Sequence, residues 1–288
     1  MTEVSGKTRV CALLGDPVEH TVSPAMHNAA FAATGLDFIY VPFRVYPEGL
    51  AAAVAGLRAL NARGFNVTIP HKVSVIPLLD SLDSLAEKIG AVNTVFNEGG
   101  QLLGFNTDAA GFLRAALEAG IESEGRRVVV LGAGGASRAI SYILADRGAE
   151  LTIVNRLQEL DWAEDIARLI EDELGRPVRV LELRDELLAE ALAEADLLVN
   201  ATSVGMSPGG DKSLVPAILL RKNMTVIDIV YNPIETRLLR EAGATGARTV
   251  GGIDMLAWQG ALAFEKWTGR TAPVDLMRRA AVAALEGA

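Results

Sequence analysis

Three polar groups of different chemistry stand within five residues: the hydroxyl of Thr68, the imidazole of His71 and the amine of Lys72. They follow the apolar run Gly64-Phe65-Asn66-Val67, and Pro70 among them removes a ladder donor and ends regular pairing. Open α/β folds place their chemistry in such loops at strand ends. An amine there can give a proton to the oxygen of a ketone whose carbon accepts hydride. By the same logic its partner is Asp108, which closes Asn106-Thr107-Asp108 after another expected strand. Taken singly, a lysine or aspartate in a loop is a surface charge, and Asp108 also suits the N-cap of the helix that follows. Pairing Lys72 with Asp108 rests on both following strand ends that should face one cleft.

A hydride must come from a cofactor. Gly132-Ala133-Gly134-Gly135-Ala136 follows a short apolar strand at 128–131 and opens a helix running to 147. Glycine there lets the backbone approach a pyrophosphate, and the helix N-terminus offers free N–H groups and a favourable dipole. The third glycine of the usual fingerprint falls at Ser137, so the match is incomplete. The next strand ends at Asn155-Arg156-Leu157-Gln158, with no acid to hold a ribose 2′-hydroxyl. A guanidinium at Arg156 pairs with a 2′-phosphate in a forked geometry, so NADP is expected over NAD. The plainer alternative is a solvated residue at a helix start.

Other hydroxyls and amides fall at strand and helix ends. Ser23 before Pro24 reads as an N-cap, which leaves Thr21 unexplained and suggests recognition of a polyol. Asn93-Thr94 lies on one arm of a hairpin, Tyr231-Asn232 follows the fifth strand of the second half, and Gln259 sits on a late helix where its neighbours suit a core.

The elements that must position these groups come in two rhythms. Strands are expected at 9–14, 38–44 and 64–68 with helices at 24–34 and 47–61, a pattern of right-handed crossovers and a parallel sheet. Runs 91–96 and 101–105 flank Asn97-Glu98-Gly99-Gly100, a hairpin signal. From 126 onward six strands alternate with helices, at 128–131, 151–154, 178–183, 197–200, 225–230 and 247–250, describing a doubly wound dinucleotide fold. Helices over 255–267 and 274–286 end the chain. The fold class is therefore α/β, with an open α/β N-terminal part and a doubly wound Rossmann part.

With 288 residues the chain suits two domains, and a net charge of −9 argues against nucleic acid or an acidic membrane face as partner. The single cysteine, Cys11, excludes an internal disulfide and fits a reducing compartment. Residues 1–8 lack the pattern of a signal peptide and no apolar run suits a bilayer span, so a cytoplasmic location is expected. His20, His27 and His71 have no metal-ligand spacing, and no metal is expected.

Asn66-Val67-Thr68-Ile69-Pro70-His71-Lys72, Gly90-Ala91-Val92-Asn93-Thr94, Asn106-Thr107-Asp108, the glycine turn, Asn155-Arg156 and Gly252-Ile253-Asp254-Met255-Leu256 together resemble the shikimate dehydrogenase family nearly end to end. The resemblance implies NADPH-dependent reduction of 3-dehydroshikimate to shikimate on the route to chorismate and aromatic amino acids. It implies a substrate domain, 1–109 plus 255–288, and a Rossmann domain, 110–254, with a cleft between them. The family's acid/base lysine falls on Lys72 and its aspartate on Asp108. Its substrate ligands fall on Thr21, Ser23, Thr68, Asn93, Tyr231 and Gln259. Its cofactor ligands fall on Gly132, Ala133, Gly134, Gly135, Ala136, Asn155, Arg156, Ile229 and Gly252. Three positions depart from the family: Thr21 stands where serine is usual, Leu157 where threonine is usual, and Ala109 where glycine is usual. Thr21 and Leu157 keep open a quinate/shikimate dehydrogenase with relaxed cofactor use. An NADP-linked reductase of another hydroxy acid would not need Thr68 and Asn93. A non-catalytic dinucleotide-binding regulator would not need Lys72 and Asp108. A homodimer is one expectation for the assembly.

Overall fold

The structure, a computed structural model, describes residues 4–287, so the first three residues of the 1–8 stretch lie outside it. The chain forms two compact units. The first ends at Gly111 and resumes at Ala257, and the second is Phe112–Leu256.

In the first unit, β1 (Arg9–Gly15), β2 (Phe38–Arg44), β3 (Gly64–Val67), β4 (Ser81–Leu82), β5 (Thr94–Glu98) and β6 (Gln101–Phe105) form one sheet in the order β2-β1-β3-β5-β6-β4. β1 pairs in parallel with both β2 and β3, as the strand–helix–strand rhythm requires. β5 runs antiparallel to β3, with Asn66 opposite Thr94, and β6 returns antiparallel to β5. The hairpin turns at Gly99 and Gly100, whose φ of 60° and 97° glycine adopts without a Cβ penalty. This reversal brings the end of β3, the start of β5 and the end of β6 to one edge, so Thr68, Asn93 and Asn106 arrive there together. Leu14, Phe65, Val67, Val95 and Leu102 bury the sheet against Val54 and Leu57 of the helix Leu50–Ala59.

The second unit carries β7 (Arg127–Leu131), β8 (Glu150–Asn155), β9 (Val178–Glu182), β10 (Leu197–Asn200), β11 (Thr225–Asp228) and β12 (Arg248–Val250). They form an all-parallel sheet in the order β12-β11-β10-β7-β8-β9. The strand order reverses between β7 and β10, the switch point where such sheets bind ligands.

Local corrections concern caps and short elements. The helix Ser23–Ala33 has Val22 at its N-cap position and no side-chain cap, so Ser23 is not the cap. Thr21 Oγ1 instead accepts the Ser23 N–H at 3.3 Å. Nor does Asp108 cap the helix Thr107–Glu118. Asn106 Oδ1 accepts the Ala109 N–H at 3.1 Å and takes that role. The helix expected over 47–61 is a 3₁₀ turn, Pro47–Gly49, followed by Leu50–Ala59. β4, with two residues, is too short to show an alternation and was not expected from the sequence. Among the described residues, no helix is long and apolar enough to cross a membrane.

Gly64 shows how tightly the first unit closes. A Cβ there would lie 2.3 Å from Trp267 Nε1 and 2.4 Å from the Val95 carbonyl oxygen, the two atoms joined by the buried Trp267 Nε1–H bond of 3.0 Å. Trp267 and Val95 are both fully buried. Gly64→Ala is expected to destabilise the protein by about 3 kcal/mol, since overpacking and a lost buried hydrogen bond act together. Thermal unfolding checks this, with Trp267 emission shifting to the red; an unchanged Tm would refute it.

Candidate active site

Lys72 and Asp108, the pair expected to transfer the proton, meet within the first unit. Lys72 Nζ lies 2.6 Å from Asp108 Oδ2, and their side chains are only 12% and 7% exposed. Lys72 is held by its loop: His71 N–H donates to the Thr68 carbonyl at 2.8 Å, and Val92 N–H donates to the Lys72 carbonyl at 2.8 Å. Asp108 sits in the first turn of its helix, where the dipole favours a negative charge. Its other oxygen, Oδ1, accepts from Asn93 Nδ2 at 2.9 Å. The carboxylate thus has a neutral donor on one oxygen and the ammonium on the other. His71, in contrast, is buried with Nε2 against the Val45 carbonyl at 2.6 Å, which ties down the loop.

Asn93 and Gln259 lie at the pair, and the other expected substrate residues of this unit lie in loops at the same sheet edge. Thr68 N–H donates to the Leu14 carbonyl at 2.9 Å and Asp16 N–H to the Ile69 carbonyl at 2.9 Å. The loop carrying Thr21 and Ser23 therefore leaves the sheet at the edge that carries Thr68. Thr21 Oγ1 donates to Ser23 Oγ at 3.2 Å, making the two hydroxyls one polar cluster. Gln259 Oε1 lies 3.5 Å from Asn93 Nδ2. Gly111 permits this approach, because a Cβ there would fall 2.7 Å from the Gln259 backbone nitrogen. Tyr231 is the exception: it follows β11 in the second unit.

The second unit carries the residues expected to cradle the cofactor. Gly132 adopts φ 96°, and a Cβ there would meet Thr202 Cγ2 at 2.7 Å. Ser137, at the place of the third glycine, is buried and donates to the Gly132 carbonyl at 2.6 Å, bracing the turn from inside. The helix Gly135–Asp146 has no side-chain cap and no acid in its first turn, and a Cβ on Gly134 would meet no protein atom. Uncapped N–H groups beside an open backbone fit a pyrophosphate. At the end of β8, Asn155 is buried and donates to the Glu159 carbonyl at 2.6 Å. Arg156 is exposed and pairs with the Glu159 carboxylate. Ile229 and Gly252 are close neighbours, since a Cβ on Gly252 would overlap the Ile229 carbonyl oxygen at 2.2 Å.

Two sets of residues carry weight that the sequence alone did not assign. Asp228 ends β11 fully buried, accepting from Asn200 Nδ2 at 2.9 Å, Val230 N–H at 3.0 Å and Thr236 Oγ1 at 2.7 Å. Burial pushes its carboxyl above the usual range, and these three donors oppose that shift. It ties the loops after β10 and β11 together; an acid inside Val226-Ile227-Asp228-Ile229-Val230 was the available signal. The second set, Tyr40, Asn66, Thr94 and Thr107, lies behind Asn93. Cys11 is buried with its thiol pushed up by desolvation, so it behaves as a small hydrophobe. No group of three His, Cys, Asp or Glu suited to a metal ion occurs among the described residues.

Comparison with known proteins matches three stretches of the chain to shikimate dehydrogenase families. Residues 13–95 match the family "Shikimate dehydrogenase substrate binding domain", residues 115–238 "Shikimate / quinate 5-dehydrogenase" and residues 252–282 "Shikimate 5'-dehydrogenase C-terminal domain". The chain is 48% identical to Shikimate dehydrogenase (NADP(+)) of Moorella thermoacetica, over 97% of this chain and 94% of the relative. A crystal structure of a shikimate dehydrogenase in complex with NADP+ superimposes with a TM-score of 0.91 at 41% identity, covering 99% of this chain and 98% of the other. The shikimate 5-dehydrogenase of Listeria monocytogenes, in complex with shikimate and NAD, gives 0.88 at 40% identity, covering 97% and 98%.

Proposed function

Since the chain belongs to the shikimate dehydrogenase family, we propose that it reduces 3-dehydroshikimate to shikimate with NADPH, on the route to chorismate and aromatic amino acids. The observation that carries the mechanism is the buried Lys72–Asp108 pair at 2.6 Å. When bound, NADPH supplies the hydride to the C3 ketone. Lys72 Nζ donates a proton to the developing alkoxide and takes it back in the reverse direction. Asp108 Oδ2 holds Nζ, and Asn93 holds Oδ1, so the amine is aimed before the substrate arrives. Thr21, Ser23, Thr68, Asn93, Tyr231 and Gln259 are assigned to the ring hydroxyls and carboxylate of the substrate. Gly132 to Ala136, Asn155, Arg156, Ile229 and Gly252 are assigned to the cofactor. In this reading residues 1–109 with 255–288 serve substrate and catalysis, and 110–254 serve NADP.

Initial rates of shikimate oxidation with NADP⁺ and NAD⁺, beside quinate, test the reading. NADP⁺-linked turnover of shikimate alone supports it. Comparable rates with NAD⁺ or quinate would support the second reading, a quinate/shikimate dehydrogenase with relaxed cofactor choice. That reading draws on Leu157 and on Glu159, which already occupies the Arg156 guanidinium. No turnover by folded, NADPH-binding protein would leave the regulator.

Glu159 gives a graded prediction. Arg156→Ala is expected to raise the KM for NADP⁺ about tenfold or more with little change for NAD⁺, because a charge-assisted pair to the 2′-phosphate is lost. Glu159→Gln is expected to lower the KM for NADP⁺, because a competing carboxylate is removed. Equal effects of Arg156→Ala on both cofactors would take Arg156 out of phosphate recognition. A cytoplasmic location belongs to the same reading, supported by the single, buried Cys11. The homodimer is checked by light scattering on the purified chain, where a mass of one chain would remove it.

A further inference from the structure

A buried polar chain runs from the aromatic core of the first unit to the back of the proton-transfer pair. Its members Tyr40, Asn66, Thr94, Asn93 and Thr107 are all buried. At the far end, His27 stacks on Tyr40 with centroids 4.4 Å apart, and Tyr40 Oη donates to Asn66 Oδ1 at 2.8 Å. Asn66 Nδ2 donates to the Asn93 carbonyl at 3.1 Å and to Thr94 Oγ1 at 3.0 Å. A carbonyl can only accept, so the amide of Asn66 has one orientation, and the Tyr40 hydroxyl must be the donor to it.

The same logic settles Asn93. The backbone N–H of Thr107 donates to Asn93 Oδ1 at 2.7 Å. An N–H offers no lone pair, so Nδ2 must turn the other way, toward Asp108 Oδ1 at 2.9 Å and Thr107 Oγ1 at 2.9 Å. The two hydroxyls complete the lock. Thr94 Oγ1 and Thr107 Oγ1 lie 3.0 Å apart, and each lies 3.2 Å from Asn93 Oδ1. Each also receives an amide N–H, Thr94 from Asn66 and Thr107 from Asn93. Their two protons can therefore be placed in either sense around the triangle, one passing between the hydroxyls and the other to Asn93 Oδ1. Both placements leave the Asn93 amide in the same orientation.

We infer that Thr94, backed by Asn66 and Tyr40, is a positioning residue for the proton transfer. With the Thr107 N–H, it holds the Asn93 amide so that Asp108 Oδ1 is taken and Oδ2 is left for Lys72. Thr94 touches neither reacting group; it acts through Asn93. The inference rests on the assignment of Lys72 and Asp108 to proton transfer, and its test separates the two.

Four variants are compared in shikimate oxidation with NADP⁺: Thr94→Val, Thr94→Ser, Tyr40→Phe and Asp108→Asn. Kinetics are read in water and in D₂O, with the folded fraction fixed by titrating NADPH binding. Thr94→Val is expected to lower kcat about tenfold, leave the KM for NADP⁺ unchanged and raise the solvent isotope effect on kcat, because a misaimed base makes proton transfer slower. Thr94→Ser keeps the hydroxyl and is expected to restore all three. Tyr40→Phe, removing the donor at the far end, shifts them in the direction of Thr94→Val by a smaller amount, and carries the test should Thr94→Val not fold. A loss of folded protein alone would leave the isotope effect untouched. If Thr94→Val or Tyr40→Phe showed wild-type kcat and isotope effect while Asp108→Asn lost activity, Thr94 would have no positioning role. A Thr94→Ser protein as impaired as Thr94→Val would equally remove that role, since it marks packing. Full activity in Asp108→Asn would instead overturn the Lys72–Asp108 assignment on which the inference stands.

Discussion

Lys72→Ala is expected to lower kcat for shikimate oxidation by about a hundred- to ten-thousand-fold, the range a positioned acid/base contributes. The size follows from the site. Nζ is held at 2.6 Å from Asp108 Oδ2 with the lysine side chain 12% exposed, so water cannot take its place with the same aim. The KM for NADP⁺ should hold, because the glycine turn and Arg156 belong to the second unit. Asp108→Asn should also cost activity, for a specific reason. Asn93 Nδ2 requires an acceptor at Oδ1. The new amide would therefore keep its oxygen toward Asn93 and turn its NH₂ toward the Lys72 ammonium, two donors facing each other. Lys72 would be pushed off its aim with its counter-charge gone. The two losses should not add: the double variant is expected close to Lys72→Ala alone, since both remove one device. Far-ultraviolet circular dichroism and NADPH titration keep folding apart from chemistry. A folded Lys72→Ala protein within about tenfold of wild-type kcat would place the acid/base elsewhere, because a loss that small is below what a positioned acid/base supplies.

What the sequence made legible has a common form. Lys72, Asp108, the glycine turn and Arg156 all follow strand ends, and a strand end is visible as an apolar run meeting polar residues or glycine. The doubly wound order of the second unit was legible for the same reason, strands alternating with helices around one glycine turn. Caps were read less well, because Ser23 and Asp108 are each good capping types beside another candidate. Thr21 and Asn106 took the first-turn N–H groups, a choice settled by loop geometry. The polar chain behind Asn93 left no local trace. Tyr40 and Asn66 are 26 residues apart, and nothing near either announces the other. The need for glycine at Gly64 depends on Trp267, brought in by the helix Gly252–Thr268, and residue-by-residue reading has no means to see it.

His27 carries the largest effect on stability, and it is a dependence on pH. The ring lies fully buried among Phe31, Tyr40 and Trp267, and among the described residues neither ring nitrogen has a hydrogen-bond partner. Desolvation alone lowers its pKa from 6.5 to about 3. The folded protein therefore keeps this imidazole neutral where the unfolded chain would protonate it. Above the unfolded pKa both states are neutral, and His27 contributes its full share of stability. As pH falls below 6.5 the unfolded state binds a proton that the folded state refuses. Stability is then lost at about 1.4 kcal/mol per pH unit until the folded pKa is reached. The loss amounts to about 2 kcal/mol at pH 5 and approaches about 5 kcal/mol near pH 3, comparable with the whole stability of many domains. His27→Phe preserves the stack on Tyr40, gives up no hydrogen bond and removes the titration. It crowds the backbone at Gly260, where a Cβ would already stand 3.4 Å from Nε2, so a fixed cost at every pH is expected. That cost moves the curve without tilting it. Urea unfolding at a series of pH values between 7 and 4 reads the tilt directly. A shallower decline in His27→Phe than in the wild type assigns the missing slope to this ring. Parallel curves would mean that the buried imidazole finds a way to hold its proton, and that acid sensitivity comes from the carboxylates instead.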